Sequence, residues 1–150
     1  MDLDLDAARA YVAALTGDGA GPVTFQTFDD SKKKRKSLAR VLHGTLGEHA
    51  AELAELNEQG AGVFVTVAET DGNGRAAANV VALRALFVDA DETTLPSLAL
   101  APSFTVHSAR GPHAYWLLAP GEPMDGFTAA QTQLARALGT DSTVKDLSRV

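Results

Sequence analysis

The apolar segment at residues 85–88, which runs into Asp89-Ala90-Asp91, limits the possible folds of this chain more than any other stretch. A short apolar run that ends at acidic residues is typical of a buried strand, and this one predicts a central strand. Alternate residues of a strand point to the same face of the sheet. Asp89 and Asp91 are therefore predicted to place two carboxylates side by side at the strand end.

Two neighbouring carboxylates repel each other unless a cation lies between them. Mg²⁺ and Mn²⁺ prefer hard oxygen ligands, and one or two carboxylates together with substrate phosphates hold these ions in phosphoryl-transfer sites. Asp89 and Asp91 thus predict a divalent metal site. The same pattern also fits the start of a solvated loop, because two acids at this spacing are common.

The remaining periodicity predicts an α+β domain that covers residues 1–150. Its sheet should be mostly antiparallel, with the helices on one face. With 45% hydrophobic residues, the chain can bury one compact core. The predicted elements are a helix at 2–15, a strand at 23–28, a helix from a capping box at 45–48 to about 59, a long hairpin around 71–74, a second hairpin of 103–107 with 113–118, and a helix at 127–138.

The chain contains no cysteine, which excludes a disulfide scaffold, a thiolate zinc site and a cysteine nucleophile. The N-terminal residues are acidic where a signal peptide would be basic. No window approaches the roughly 18 apolar residues that a membrane span needs. These features predict a cytoplasmic protein that does not bind membranes.

A second candidate feature is the loop that joins the strands of the predicted second hairpin. Ser108, Arg110 and the backbone N–H groups around Gly111 are suited to bind phosphate oxygens, and His113 begins the next strand. The loop therefore predicts an anion site beside the metal site. A single histidine at a strand start is more often structural, and an arginine in a turn is more often solvated.

The last ten residues hold further acids and a cation. Asp146 or Asp141 is a candidate third metal ligand, and Arg149 is a candidate phosphate contact. A capped turn explains the same spacing equally well. The sequence stops in mid-pattern, which suggests an N-terminal fragment of a longer protein.

The formal net charge of the chain is −6, so any nucleic acid must bind at a local basic patch. One segment provides such a patch, because five consecutive positions carry lysine or arginine. We predict backbone contacts to nucleic acid there, with a solvated turn as the alternative. The residues are Lys32, Lys33, Lys34, Arg35 and Lys36.

Taken in order, the acid pair, the serine loop that leads to a histidine, and the later acid resemble the three motifs of the archaeo-eukaryotic primase superfamily. The resemblance covers most of the chain and is closest to the RepB-type primases of phages and plasmids. Its most specific part is the combination of RALFVDAD with SARGPHAYW. Members of the superfamily continue beyond the last arginine and often into a helicase domain, so a helicase domain or protein is a possible partner.

The resemblance implies an RRM-like catalytic core that joins nucleoside triphosphates on a single-stranded DNA template by a two-metal mechanism. It implies that such a core makes primers and extends them in replication. Asp89, Asp91 and Asp146, with Asp141 as the alternative third acid, would bind Mg²⁺ or Mn²⁺. The incoming triphosphate would contact Ser108, Arg110, Gly111, His113 and Arg149.

Three other functions are alternatives to this one. A metal-dependent nuclease would use the acids for hydrolysis, and a rolling-circle nicking enzyme would need two close histidines on one strand. A non-catalytic module would bind single strands through exposed aromatic side chains. Most of the nine aromatic residues lie in apolar runs, which disfavours that module.

Overall fold

The structure is a computed structural model that describes residues 3–17, 21–90, 94–108 and 110–150. These residues form an α+β domain in which all strand pairs are antiparallel, as predicted. The helices are α1 (Leu5–Thr16), α2 (Leu46–Glu58) and α3 (Phe127–Leu138). The strands are β1 (Val23–Asp29), β2 (Arg40–Gly44), β3 (Ala61–Val65), β4 (Glu69–Thr70), β5 (Val80–Ala82), β6 (Ala85–Asp89), β7 (Phe104–His107) and β8 (Pro112–Leu117).

The three predicted helices are confirmed. They were predictable because their termini carry local capping signals. The Thr45 hydroxyl accepts the Glu48 N–H while the Glu48 carboxylate accepts the Thr45 N–H, so α2 starts with a complete capping box. Gly17 and Gly139 end α1 and α3 in the left-handed conformation, with φ of 83° and 68°.

The first sheet has the strand order β2-β1-β3. On its inner face Val23 and Phe25 pack against Leu46 and Leu53 of α2. Strand β2 was not predicted, because its two apolar residues, Val41 and Leu42, are adjacent and do not alternate with polar ones. It pairs along β1 from Val23 opposite Gly44.

The second three-stranded sheet has the order β6-β8-β7. The predicted hairpin of β7 with β8 is confirmed, with Val106 opposite His113. Strand β6 pairs with the other side of β8 and brings Asp89 opposite His113. The acid-terminated strand therefore lies at the edge of this sheet, and the prediction of a central strand is wrong.

The predicted long hairpin around residues 71–74 is also wrong, except for a short ribbon of β4 with β5. Strand β3 pairs with β1 instead. Thr66 continues this pairing by donating to the Thr24 carbonyl at 2.8 Å, and Val67 then donates to the Arg149 carbonyl at 3.0 Å. The first strand of the predicted hairpin thus pairs with residues far away in the sequence, which local turn signals do not reveal.

Helix α1 joins the two larger sheets. Val12 belongs to the core beneath β1, and Leu15 belongs to the core beneath β6 and β8. Tyr11 packs against both cores. In the parts of the chain that the structure describes, no helix is long and apolar enough to cross a membrane.

The basic run is folded around the buried carboxylate of Asp29, at the end of β1. This carboxylate accepts hydrogen bonds from the Ser31 N–H at 2.9 Å and from the Arg35 N–H at 2.7 Å. It also accepts two bonds from the Arg35 guanidinium, at 2.8 and 3.2 Å, and its side chain is only 1% exposed. Hydrogen bonds from the Arg35 guanidinium, and next from its backbone N–H, hold the pKa of Asp29 well below its usual range.

We expect Asp29 to make the stability of the protein dependent on acid pH. Its pKa is lower in the folded than in the unfolded state, so its contribution is present above the unfolded value of about 3.9 and is lost as the pH falls through and below that value. Urea unfolding of the wild type should therefore show stability falling more steeply below about pH 5 than that of Asp29→Asn. Equal slopes for the two proteins would contradict this account of the loop.

Candidate active site

Asp89 and His113 form a cross-strand pair at one end of the second sheet. Phe87, two residues before Asp89, directs its backbone N–H and C=O away from β8, toward Gln131. Because hydrogen-bonded and non-hydrogen-bonded pairs alternate along an antiparallel ladder, Asp89 and His113 form a non-hydrogen-bonded pair, in which side chains are closest. The Asp89 Oδ1 and His113 Nε2 atoms are 3.4 Å apart.

Both side chains can be reached from solvent. Asp89 is 25% exposed and His113 is 31% exposed. Just beyond them, the Ala90 N–H donates to the Pro112 carbonyl at 3.0 Å, which keeps the two strands together past the pair. The pair therefore combines a carboxylate and an imidazole on a fixed backbone that is open to a ligand.

The loop between β7 and β8 lies at the same end of the sheet, since His107 pairs with Pro112. The Ser108 hydroxyl donates to the Gly111 carbonyl at 2.9 Å and accepts the N–H groups of Arg110 and Gly111, each at 3.2 Å. The structure thus gives Ser108 a role in ordering the turn. Its predicted contact with a triphosphate remains a prediction, as do those of Arg110, which is exposed, and Gly111.

Aromatic side chains pack behind the pair, on the same face of the sheet. Phe104 stacks on Tyr115 with 4.6 Å between ring centroids, and Phe87 stacks on Tyr115 at 6.1 Å. Tyr11 of α1 meets Tyr115 edge-on at 5.6 Å. Burial raises the pKa of Tyr115, and the nearby negative charge of Asp89 adds to this rise. The pair of Asp89 and His113 therefore lies next to a cluster of packed aromatic rings.

In the part of the chain that the structure describes, a glutamine side chain of α3 binds the edge of β6 that faces away from β8. The Gln131 amide accepts the Phe87 N–H at 2.9 Å and donates to the Phe87 carbonyl at 2.9 Å. It also donates to the Val144 carbonyl at 3.1 Å, and Gln131 is fully buried. This amide takes the place of a neighbouring strand, because it satisfies both backbone groups of one residue.

The structure does not group the predicted third acid with Asp89. Asp141 is part of a local turn, in which hydrogen bonds from the Thr143 hydroxyl and N–H lower its pKa. Asp146 is exposed and lines a different depression, together with Arg149. Among the described residues, no three acidic or histidine side chains are grouped closely enough to hold a metal ion, and Asp91 lies outside those residues.

The basic run is divided between internal and external contacts. The Arg35 guanidinium binds Asp29 and donates to the Gln59 carbonyl at 2.8 Å, so its structural role is internal. The lysines are exposed, although Lys34 also reaches the Asp29 carbonyl at 3.4 Å. The predicted contacts of Lys32, Lys33, Lys34, Arg35 and Lys36 with a nucleic-acid backbone remain a prediction, and the Arg35 side chain is still 43% exposed.

Sequence reasoning missed Gln131, although the chain carries a signal for it. Phe127, Gln131 and Ala135 lie four residues apart and form the buried face of α3. A polar amide in the middle of an apolar stripe indicates a buried hydrogen-bonding role. The residue that it binds could not be read from the sequence.

Comparison with solved structures identifies the fold. The AEP domain of the cyanophage S-2L primase-polymerase (PrimPol) is similar to this chain, with a TM-score of 0.74 and 20% sequence identity. The similarity covers 99% of this chain and 80% of that one. No protein-family model and no curated protein matches the sequence. The chain therefore shares the fold of that AEP domain, in agreement with the fold that the resemblance implies, whereas the closer likeness to RepB-type primases remains a prediction.

We expect Gln131→Leu to destabilise the protein by about 3 kcal/mol, because it leaves buried backbone groups of Phe87 and Val144 without partners. Chemical unfolding measures the loss, and Gln133→Leu on the exposed side of α3 is the matched control. If the two variants were equally stable, the amide would not hold the edge of β6.

Proposed function

We propose that this protein is a nucleotidyltransferase of the primase-polymerase type, which joins nucleotides on a single-stranded DNA template. The main support is the cross-strand pair of Asp89 and His113, which lies beside the loop of Arg110 and Gly111 on an archaeo-eukaryotic primase fold. Nucleotidyl transfer joins a 3′-hydroxyl oxygen to the α-phosphorus of a nucleoside triphosphate and releases pyrophosphate. The site must therefore bind both a cation and an anion, and this arrangement offers groups for each.

Asp89 fits a divalent metal ion. Its carboxylate is a hard oxygen donor at a strand end and is partly open to solvent. Asp91 would supply the second carboxylate, and Asp146 remains the proposed third acid, since Asp141 is already bound to Thr143. When bound, Mg²⁺ or Mn²⁺ would lower the pKa of the attacking hydroxyl and offset charge on the phosphates.

His113 and the loop would orient the triphosphate. The His113 imidazole lies 3.4 Å from Asp89, so a phosphate bound by the imidazole would lie next to the carboxylate. Arg110 adds a guanidinium, whose fork of N–H donors suits phosphate oxygens. Ser108 holds the turn in shape through its bonds to Arg110 and Gly111. These residues would stabilise negative charge as it accumulates on the phosphates.

We expect Asp89→Asn to abolish template-dependent synthesis, with activity at least about a hundredfold below the wild type. The amide keeps the shape of the side chain but removes the charge that attracts a cation. The assay incubates the protein with single-stranded DNA, labelled nucleotides and Mg²⁺ or Mn²⁺, and resolves the products on a denaturing gel. Asp91→Asn is expected to behave in the same way.

Asp125→Asn provides the matched control, because Asp125 is an exposed acid in the loop before α3. It should synthesise at the wild-type level. Full activity in Asp89→Asn would overturn the proposed site. Shortening of the DNA without incorporation of nucleotides would instead identify a nuclease and overturn the proposed reaction.

We expect His113→Ala to weaken nucleotide binding by about tenfold, since a charge-assisted contact to phosphate contributes roughly 1.5 kcal/mol or more. Calorimetric titration with a nucleoside triphosphate in the presence of Mg²⁺ measures the effect. His107→Ala, which alters an exposed histidine of the adjacent strand, is the control. Equal affinities for the two variants would remove His113 from the site.

A further inference from the structure

The outer face of the β2-β1-β3 sheet carries two exposed phenylalanines. Phe28 of β1 is 40% exposed and Phe64 of β3 is 37% exposed, whereas Phe25 of β1 is buried in the core. Their ring centroids are 5.8 Å apart, with an angle of 58° between the planes. The two rings thus form a continuous aromatic surface on the outside of the protein.

Strand geometry places this surface away from the core. Phe25 and Phe28 are three residues apart on one strand, so they point to opposite faces. In β3, Val63 and Val65 pack against the core, which directs Phe64 outward. The exposure of the two rings therefore follows from their positions in the strands.

The Phe64 ring rests against the strand backbone. Gly62 lies opposite Phe28 in the register of β1 with β3. A Cβ atom on Gly62 would come within 2.7 Å of the Asp30 Oδ2 atom and 2.9 Å of the Phe64 Cε2 atom, so a larger residue would displace these side chains. The glycine thus leaves room for the Phe64 ring and the Asp30 carboxylate.

Several cations lie beside this aromatic surface. The Arg75 guanidinium carbon lies 6.0 Å from the centre of the Phe28 ring. Arg75 is held there by bonds to the Gln26 Oε1 atom at 2.9 Å and to the Ser148 carbonyl at 2.6 Å. Lys34 and Lys36 line one depression together with both phenylalanines. Asp30 lines the same depression, and Asp146 lines a neighbouring one with Phe64 and Arg75. Lys34, Lys36 and Arg75 thus outnumber these two acids beside the rings.

We propose that Phe28 and Phe64 bind single-stranded DNA by stacking its bases, while Lys34, Lys36 and Arg75 contact its phosphates. Exposed rings flanked by cations are the usual means of binding single strands without sequence preference. Lysine is depleted at protein–protein interfaces, so the charge around the rings favours a nucleic acid over a protein partner. This inference rests on the proposed function, because the strand bound here would be the template, and Asp146, the proposed third acid, lines a depression together with Phe64 and Arg75.

The proposal is tested by measuring the binding of a labelled oligothymidylate by fluorescence anisotropy. The buffer contains a metal chelator and no nucleoside triphosphate. Phe64→Leu keeps an apolar side chain but removes the aromatic ring, and it should weaken binding at least about fivefold. Phe64→Tyr keeps the ring and should bind within about twofold of the wild type. Leu117→Ala, at a similarly exposed leucine of β8, is the control for loss of apolar surface. Thermal unfolding of each variant checks that it is folded.

An oligonucleotide with abasic sites separates stacking from charge. The wild type should bind it more weakly, and Phe64→Leu should then match the wild type, because no base remains to stack. Lys34→Gln with Lys36→Gln should reduce the slope of log affinity against log salt by about 1.4, because each lost phosphate contact on a single strand removes about 0.7.

The proposal would be overturned if Phe64→Leu bound DNA with wild-type affinity, or if this substitution lowered affinity for the abasic strand as much as for the intact strand. A dimer in sedimentation that depends on Phe64 would also overturn it. Such a dimer would show that a second copy of the chain occupies the face. Because the assay contains neither triphosphate nor free metal, these outcomes leave the proposed catalytic site untouched. Loss of synthesis in Asp89→Asn likewise does not bear on the stacking surface.

Discussion

The position of the candidate active site depends on how the open edge of β6 is satisfied. A strand with only one neighbour exposes unpaired N–H and C=O groups on its other side, and here the Gln131 amide binds both groups of Phe87. Phe87 precedes Asp89 by two residues, and its side chain stacks on Tyr115. The same strand is thus fixed at its backbone by α3 and at its side chains by β8, which leaves Asp89 with a defined position opposite His113.

A second buried polar group, the carboxylate of Asp29, holds the basic loop in place. Asp29 accepts four hydrogen bonds from Ser31 and Arg35, and this network folds five consecutive basic positions into a compact turn. As a result, Lys34 and Lys36 lie beside Phe28 and Phe64. The two phenylalanines and the pair of Asp89 with His113 therefore lie on different sheets, and Asp146 and Arg149 line a depression together with Phe64.

The sequence predicted the elements whose signals are local. The capping box of Thr45 with Glu48, the glycine ends of α1 and α3, and the β7–β8 hairpin all depend on neighbours within a few residues. The pairing of β3 with β1 and the edge position of β6 were missed, because they depend on contacts across the whole chain. The spacing of Phe25 and Phe28 in β1 predicts that they point to opposite faces of the sheet. This spacing could have indicated the exposed aromatic surface.

The central claim is that a divalent cation and a triphosphate bind at Asp89 and His113. Backbone NMR spectra recorded during addition of a trace of Mn²⁺, with a non-hydrolysable nucleoside triphosphate present, test it directly, because the paramagnetic ion broadens only nearby resonances. We expect selective broadening of the amides of Asp89, Ala90, Arg110, Gly111 and His113. Broadening confined to the acidic groups around Asp29 or Asp141, with these amides unaffected, would contradict it.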